Sequence, residues 1–118
     1  MLNNNSTEKV FLASGSTDMR KSIDGLAAIV QECFSLDPFS SSMFVFCNRG
    51  KNKLKILKWD TCGFWLYYRR LEKGRFQWPD LSNGYPVAMT MRQLQWLLDG
   101  LNSDQRKAHV KMAPNAVI

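Results

Sequence analysis

Nine cationic side chains fall between residues 49 and 75: Arg49, Lys51, Lys53, Lys55, Lys58, Arg69, Arg70, Lys73 and Arg75. Only two carboxylates, Asp60 and Glu72, share that stretch, so its positive surplus exceeds the +6 carried by the whole 118-residue chain. Ammonium and guanidinium groups at this density can neutralise phosphates. Aromatics are interleaved with them, and Trp59, Trp65, Tyr67 and Trp78 stand out as candidates for contact. Their flat rings could stack on unpaired bases or anchor an interface. The chemistry implied is recognition of a polyanion. A plainer explanation competes with it: strand lysines block edge-to-edge association, and strand aromatics mostly fill cores.

Other chemistries find little support. Cys33, Cys47 and Cys62 are spaced 14 and 15 residues apart with no close pair, and His109 is the sole histidine. Zinc sites use four ligands at short paired spacings, so no metal is expected. An odd cysteine count without a framework points to a reducing compartment, with cytoplasm the default. Asp18, Asp24, Asp60 and Asp80 are each explained by a cap, a helix face or a turn. There is no Gly-rich phosphate cradle. No catalytic constellation emerges, so a non-enzymatic protein without cofactors is expected. The apolar runs 43–47 and 64–68 fall far short of the roughly 18 residues that cross a bilayer. The polar N-terminus lacks the basic and apolar regions of a signal peptide.

The elements that must position the cations can be read from periodicity and turn chemistry. Residues 1–9 form a polar leader, 10–101 a single domain and 102–118 a tail. A short strand is expected at 10–13. Thr17 and Asp18 are expected to open a helix whose apolar face is Ile23, Leu26, Ala27, Val30, Cys33 and Phe34. Pro38 would stop it. Arg20 and Lys21 then fall in its first turn, as part of a solvated face. Residues 43–47 are continuously apolar, which fits a strand covered on both faces. Residues 53–59 alternate until Leu57, where a bulge is expected. Residues 60–63 suit a hairpin loop with Gly63 supplying the positive φ, 64–71 a further strand, and 72–75 a turn into a last strand at 76–78. Residues 80–86 read as a loop. Thr90 and Gln93 form a capping box for a second helix with Leu94, Leu97, Leu98 and Leu101 as its stripe, closed by Gly100. The fold class is α+β: a three- to four-stranded antiparallel meander, with one helix before and one after covering a single face. The basic residues would occupy the other face.

Several blocks resemble a known family. They are residues 17–26 (Thr17-Asp18-Met19-Arg20-Lys21-Ser22-Ile23-Asp24-Gly25-Leu26), Phe44-Val45-Phe46-Cys47-Asn48-Arg49, and Leu54-Lys55-Ile56-Leu57 with Trp59-Asp60. Gly63-Phe64-Trp65, residues 70–76 and Trp78-Pro79 complete the set. Together they resemble TnpB, the accessory protein of insertion sequence 66 type transposable elements. The resemblance spans about residues 10–101. It implies a bacterial transposition helper encoded beside a separate transposase, with no catalytic residues to carry over. DNA and the transposase, or another element-encoded protein, are the expected partners. Two mechanisms follow: a DNA-binding factor using the basic sheet, or an adaptor that docks the transposase without holding DNA itself.

Overall fold

The structure, a computed structural model, describes residues 9–79 and 84–99. The leader up to residue 8, the C-terminal tail, most of the 80–86 loop and the closing Gly100 lie outside the described residues. Five strands form one sheet: β1 (Val10–Leu12), β2 (Met43–Cys47), β3 (Lys53–Asp60), β4 (Gly63–Arg70) and β5 (Val87–Met89), in the order β4-β3-β2-β1-β5. Helix α1 (Ile23–Ala28) continues as a π-helical turn (Ile29–Cys33), and α2 (Met91–Leu98) follows β5.

β2 is the central strand, and its five apolar residues are all buried. β2, β3 and β4 form the expected antiparallel meander. β1 joins β2 in parallel, however, and β5 pairs antiparallel with β1, so the sheet is mixed. A parallel neighbour cannot be reached by a tight turn, which is why α1 crosses over between β1 and β2.

The helices take opposite faces of the sheet, not the single face expected. On one face α2 buries Leu94, Leu97 and Leu98 with Val10, Leu12, Met43, Val45, Leu54, Ile56 and Phe76. On the other, α1 and its π turn bury Leu26 and Val30 against Phe44, Phe46 and Leu57. Phe11 stacks on Phe44 across the β1–β2 pair, with ring centroids 5.8 Å apart. No face is therefore left free for a uniform basic surface, and β4, at the sheet edge, is the least buried long strand.

Local expectations fail where tertiary contacts overrule them. α1 begins at Ile23 rather than at residues 17–18. The Thr17 N–H donates to the Cys47 carbonyl (2.8 Å), and Lys55 Nζ takes the carbonyls of Met19 and Lys21 at 2.8 Å each. In a helix opening at residues 17–18 those carbonyls would accept from the N–H groups four residues on, at Ile23 and Gly25. Arg20 and Lys21 thus precede the helix. In the π turn the Phe34 N–H donates to the Ile29 carbonyl five residues back (3.2 Å), and Cys33 is exposed, while Val30 stays buried and Phe34 packs against the same cluster. No bulge interrupts β3: the register runs unbroken from Lys53↔Arg70 to Asp60↔Gly63, and Leu57 is buried because α1 covers it. In the hairpin loop the positive φ belongs to Thr61, not Gly63. Residues 76–78 are not a strand. Phe76 N–H donates to the Lys51 carbonyl (2.7 Å), and its buried ring anchors the chain against the α2 face. The Thr90 capping box is present as expected: Gln93 N–H donates to Thr90 Oγ1 (3.1 Å) and Thr90 N–H to Gln93 Oε1 (2.9 Å).

Candidate functional site

Strand alternation divides the cations between the two faces of the β3–β4 hairpin. Lys53, Lys55, Leu57 and Trp59 point to the α1 face, as do their cross-strand partners Arg70, Tyr68, Leu66 and Phe64. Lys58 and Arg69 point to the α2 face with Trp65 and Tyr67. The nine cations are thus not one patch.

On the α1 face, beyond the end of the helix cover, lies an open groove of about 940 Å³. Three segments build it. Asp18 and Arg20 come from the stretch before α1, Arg49 from the β2–β3 turn, and Lys53, Lys55, Leu66 and Tyr68 from the hairpin strands. The turn is rigidly made. Asn48 Oδ1 accepts from the N–H groups of Asn52 and Lys53 at 3.1 Å each, and Asn48 Nδ2 donates to Asn52 Oδ1 at 2.9 Å. At Gly50 a Cβ would sit 3.2 Å from Asn52 Oδ1, a tight approach.

Lys55 does structural work in the groove wall. With two of its three N–H donors on the Met19 and Lys21 carbonyls, it pins the preceding segment to the sheet, and its Nζ lies 5.9 Å from the centre of the Tyr68 ring. Asp18 is the groove's carboxylate. It accepts from Arg20 Nε (3.1 Å) and a terminal guanidinium nitrogen (2.8 Å), and from the Arg20 backbone N–H (2.9 Å). These bonds hold the Asp18 carboxyl down at about 2. Arg49 and Lys53, by contrast, have no ion pair among the described residues.

The remaining predicted residues disperse around this centre. Arg70 faces the groove side opposite Lys53 but is engaged by Glu72 at 2.9 Å. Lys51 is exposed in the turn at φ 61°, and its carbonyl holds the chain beside exposed Arg75. Lys73 is exposed after β4. Trp59 sits at the far end of the hairpin, edge-on to Phe39 and Phe64 with centroids 5.0 Å away in each case. Trp65, half exposed, stacks on Tyr67 at 6.1 Å, and its Nε1 donates to Asp60 Oδ2 at 3.1 Å. Tyr67 and Trp78 pack against the α2-side core, and the buried Trp78 Nε1 has no partner among the described residues. None of these four aromatics lines the groove, whereas Tyr68 does. Burial pushes the Cys47 thiol up to about 11, while Cys33 and Cys62 are exposed and free. Among the described residues no three His, Cys, Asp or Glu side chains gather as metal ligands.

Fold and site together define a small α+β protein with an open cationic groove at one end of a mixed sheet. The chain matches the family described as IS66 Orf2 like protein over residues 8–108 and belongs to it. Membership implies a transposition accessory protein. In Sinorhizobium fredii it is similar to "Uncharacterized protein y4hO", 38% identical over 102 residues that cover 86% of this chain and 88% of the relative. It is also similar to "Uncharacterized protein y4jC" of the same organism, 28% identical over 109 residues and 92% of each chain. No solved structure matches it. Two blocks that carry the family resemblance, residues 17–26 and 44–49, meet in the groove through Asp18, Arg20 and Arg49.

Proposed function

We propose that this protein is a non-enzymatic DNA-binding factor that assists transposition in the cytoplasm by holding the DNA backbone at the groove end of the sheet. The observation that carries the reading is the meeting of Arg20, Arg49, Lys53 and Lys55 from three separate segments around one open groove. Its carboxylate is already occupied by Arg20. Arg49 and Lys53 supply the phosphate contacts directly, and Lys51, Arg70, Lys73 and Arg75 extend the cationic rim. Lys58 and Arg69 face the other side and contribute less. Most of the affinity is electrostatic, so it falls with salt by about 0.9 logarithmic units per phosphate neutralised on duplex DNA, per tenfold salt increase. Fluorescence anisotropy of labelled DNA across a salt series tests this. A steep negative slope supports the reading, and absence of binding at low salt refutes it.

A second reading rests on the opposite end of the hairpin, where Phe39 is 55% exposed beside Trp59 and Phe64. Such a cluster suits an interface anchor for the transposase. Pull-down of the transposase under nuclease treatment separates the two: capture that survives nuclease favours the adaptor.

A further inference from the structure

We infer that the groove takes an unpaired stretch of DNA, with Tyr68 as the platform on which a base stacks. The inference rests on the DNA-binding reading above and adds the form of DNA that is bound. Tyr68 is 53% exposed, yet its ring lines the groove rather than standing alone on the surface. Leu66, two residues earlier on the same side of β4, adds apolar surface beside it. Lys55, on the strand opposite, has its Nζ over one face of the ring, 5.9 Å from its centre, and is itself fixed by two carbonyls, so a base would stack on the other face. Arg49 and Lys53 flank this floor.

An aromatic floor framed by cations matches the two exposed chemistries of a single strand, the π-face of a base and the phosphate beside it. A duplex presents phosphates outward but hides its base faces within the stack, so it can use the rim and not the floor. The volume of about 940 Å³ is at the upper end of the range for enclosed ligand sites, roughly 300–1,000 Å³, and leaves room for nucleotide units rather than a lone ion. Sequence preference is weak, because every base has a face and the floor offers no fixed donor pattern. The Asn48 carboxamide, which could have read a base edge, is spent on its own turn.

The test compares three labelled probes with the full-length protein: a thymidine single strand of about 16 nucleotides, a duplex of the same length, and that duplex with a single-stranded overhang. Tyr68→Thr removes the ring while keeping a residue suited to an exposed strand, and Tyr68→Phe restores the ring without its hydroxyl. Circular dichroism and thermal unfolding confirm that each variant is folded. Tyr68→Thr is expected to weaken single-strand and overhang binding roughly tenfold or more, with blunt-duplex affinity unchanged, and Tyr68→Phe to bind as the parent does. Equal losses on single strand and duplex, or no loss on the single strand, overturn the stacking role while duplex binding itself keeps the DNA-binding reading. Failure to bind any probe overturns both.

Discussion

The two ends of the β3–β4 hairpin are built from neighbouring residues of the same two strands and have opposite characters. At the closed tip, side chains satisfy one another. Trp59 meets both Phe39 and Phe64 edge to face, and the Asp60 carboxylate accepts from Trp65 and Thr61, which lowers its pKa. At the open end, some seven residues or about 23 Å away at strand rise, the backbone is tightly satisfied while two of the long cationic side chains are not. Asn48 ties the turn, Leu71 N–H donates to the Asn52 carbonyl (2.8 Å), and Phe76 N–H to that of Lys51. Arg49 and Lys53 stand free of any ion pair among the described residues. A rigid frame carrying unspent charge is what a binding surface needs, because little ordering remains to be done when the ligand arrives.

The largest expected effect comes from removing the anchor of the open end. Phe76 is a fully buried ring that fastens residues 71–79 beneath the turn. Phe76→Ala should destabilise the fold by about 3–5 kcal/mol in urea unfolding. A loss below about 1 kcal/mol would show that the open end is not held through this residue. Next comes the charge itself. Arg49→Ala combined with Lys53→Ala should leave stability within about 0.5 kcal/mol, as befits surface changes. The same pair should flatten the salt dependence of duplex binding by about 1.8 logarithmic units, two phosphates' worth. Phe39→Ala at the tip should leave that slope untouched. A slope that responds to the tip and not to the groove would reverse the assignment of the two ends.

The contrast between the ends was only partly legible in the sequence. Three signals confined to a few neighbouring residues were reliable: the Thr90 capping box, the wholly apolar β2, and the turn chemistry around Asn48; the positive φ assigned to Gly63, equally local, was not. Those overruled from afar were not. The start of α1 depends on Lys55, more than thirty positions away, capturing carbonyls that a helix would otherwise use. β5 has three residues, too short to show a period, and exists because β1 offers it an edge. The groove was hardest. Alternation correctly groups Trp65, Tyr67 and Arg69 on one side of β4, but it does not say which side lies open beside the cations of β3. Strand faces interchange with a shift of one residue, so the aromatic floor fell to Tyr68 and not to Tyr67. Arg20, expected on a helix face, reaches the groove because that helix starts later.

The tip yields a smaller test. A double-mutant cycle of Phe39→Ala and Trp59→Ala should show a coupling of about 0.5–1.5 kcal/mol, the usual worth of an aromatic pair beyond its burial. Coupling near zero would mean that the exposed Phe39 ring only grazes its neighbour.

The smallest effect concerns the carboxylate within the groove. Asp18 has its pKa depressed from 3.8 to about 2, chiefly by the Arg20 side-chain hydrogen bond. Its contribution to the fold is therefore fully present above the unfolded value near 4, and is lost as pH falls through the folded value near 2. Between pH 5 and 8 the pair is intact, so any pH dependence of DNA binding in that range must arise elsewhere. Asp18→Asn keeps an oxygen that can accept from the Arg20 backbone N–H, which preserves the turn, but it removes the negative charge and releases the guanidinium. DNA affinity should rise by no more than about fivefold at low salt, since the pair lies at the surface and solvent screens it. The gain should shrink as salt screens it. Weaker binding by this variant would show that Arg20 works only when held by Asp18, and that the pair orients a phosphate donor rather than masking one.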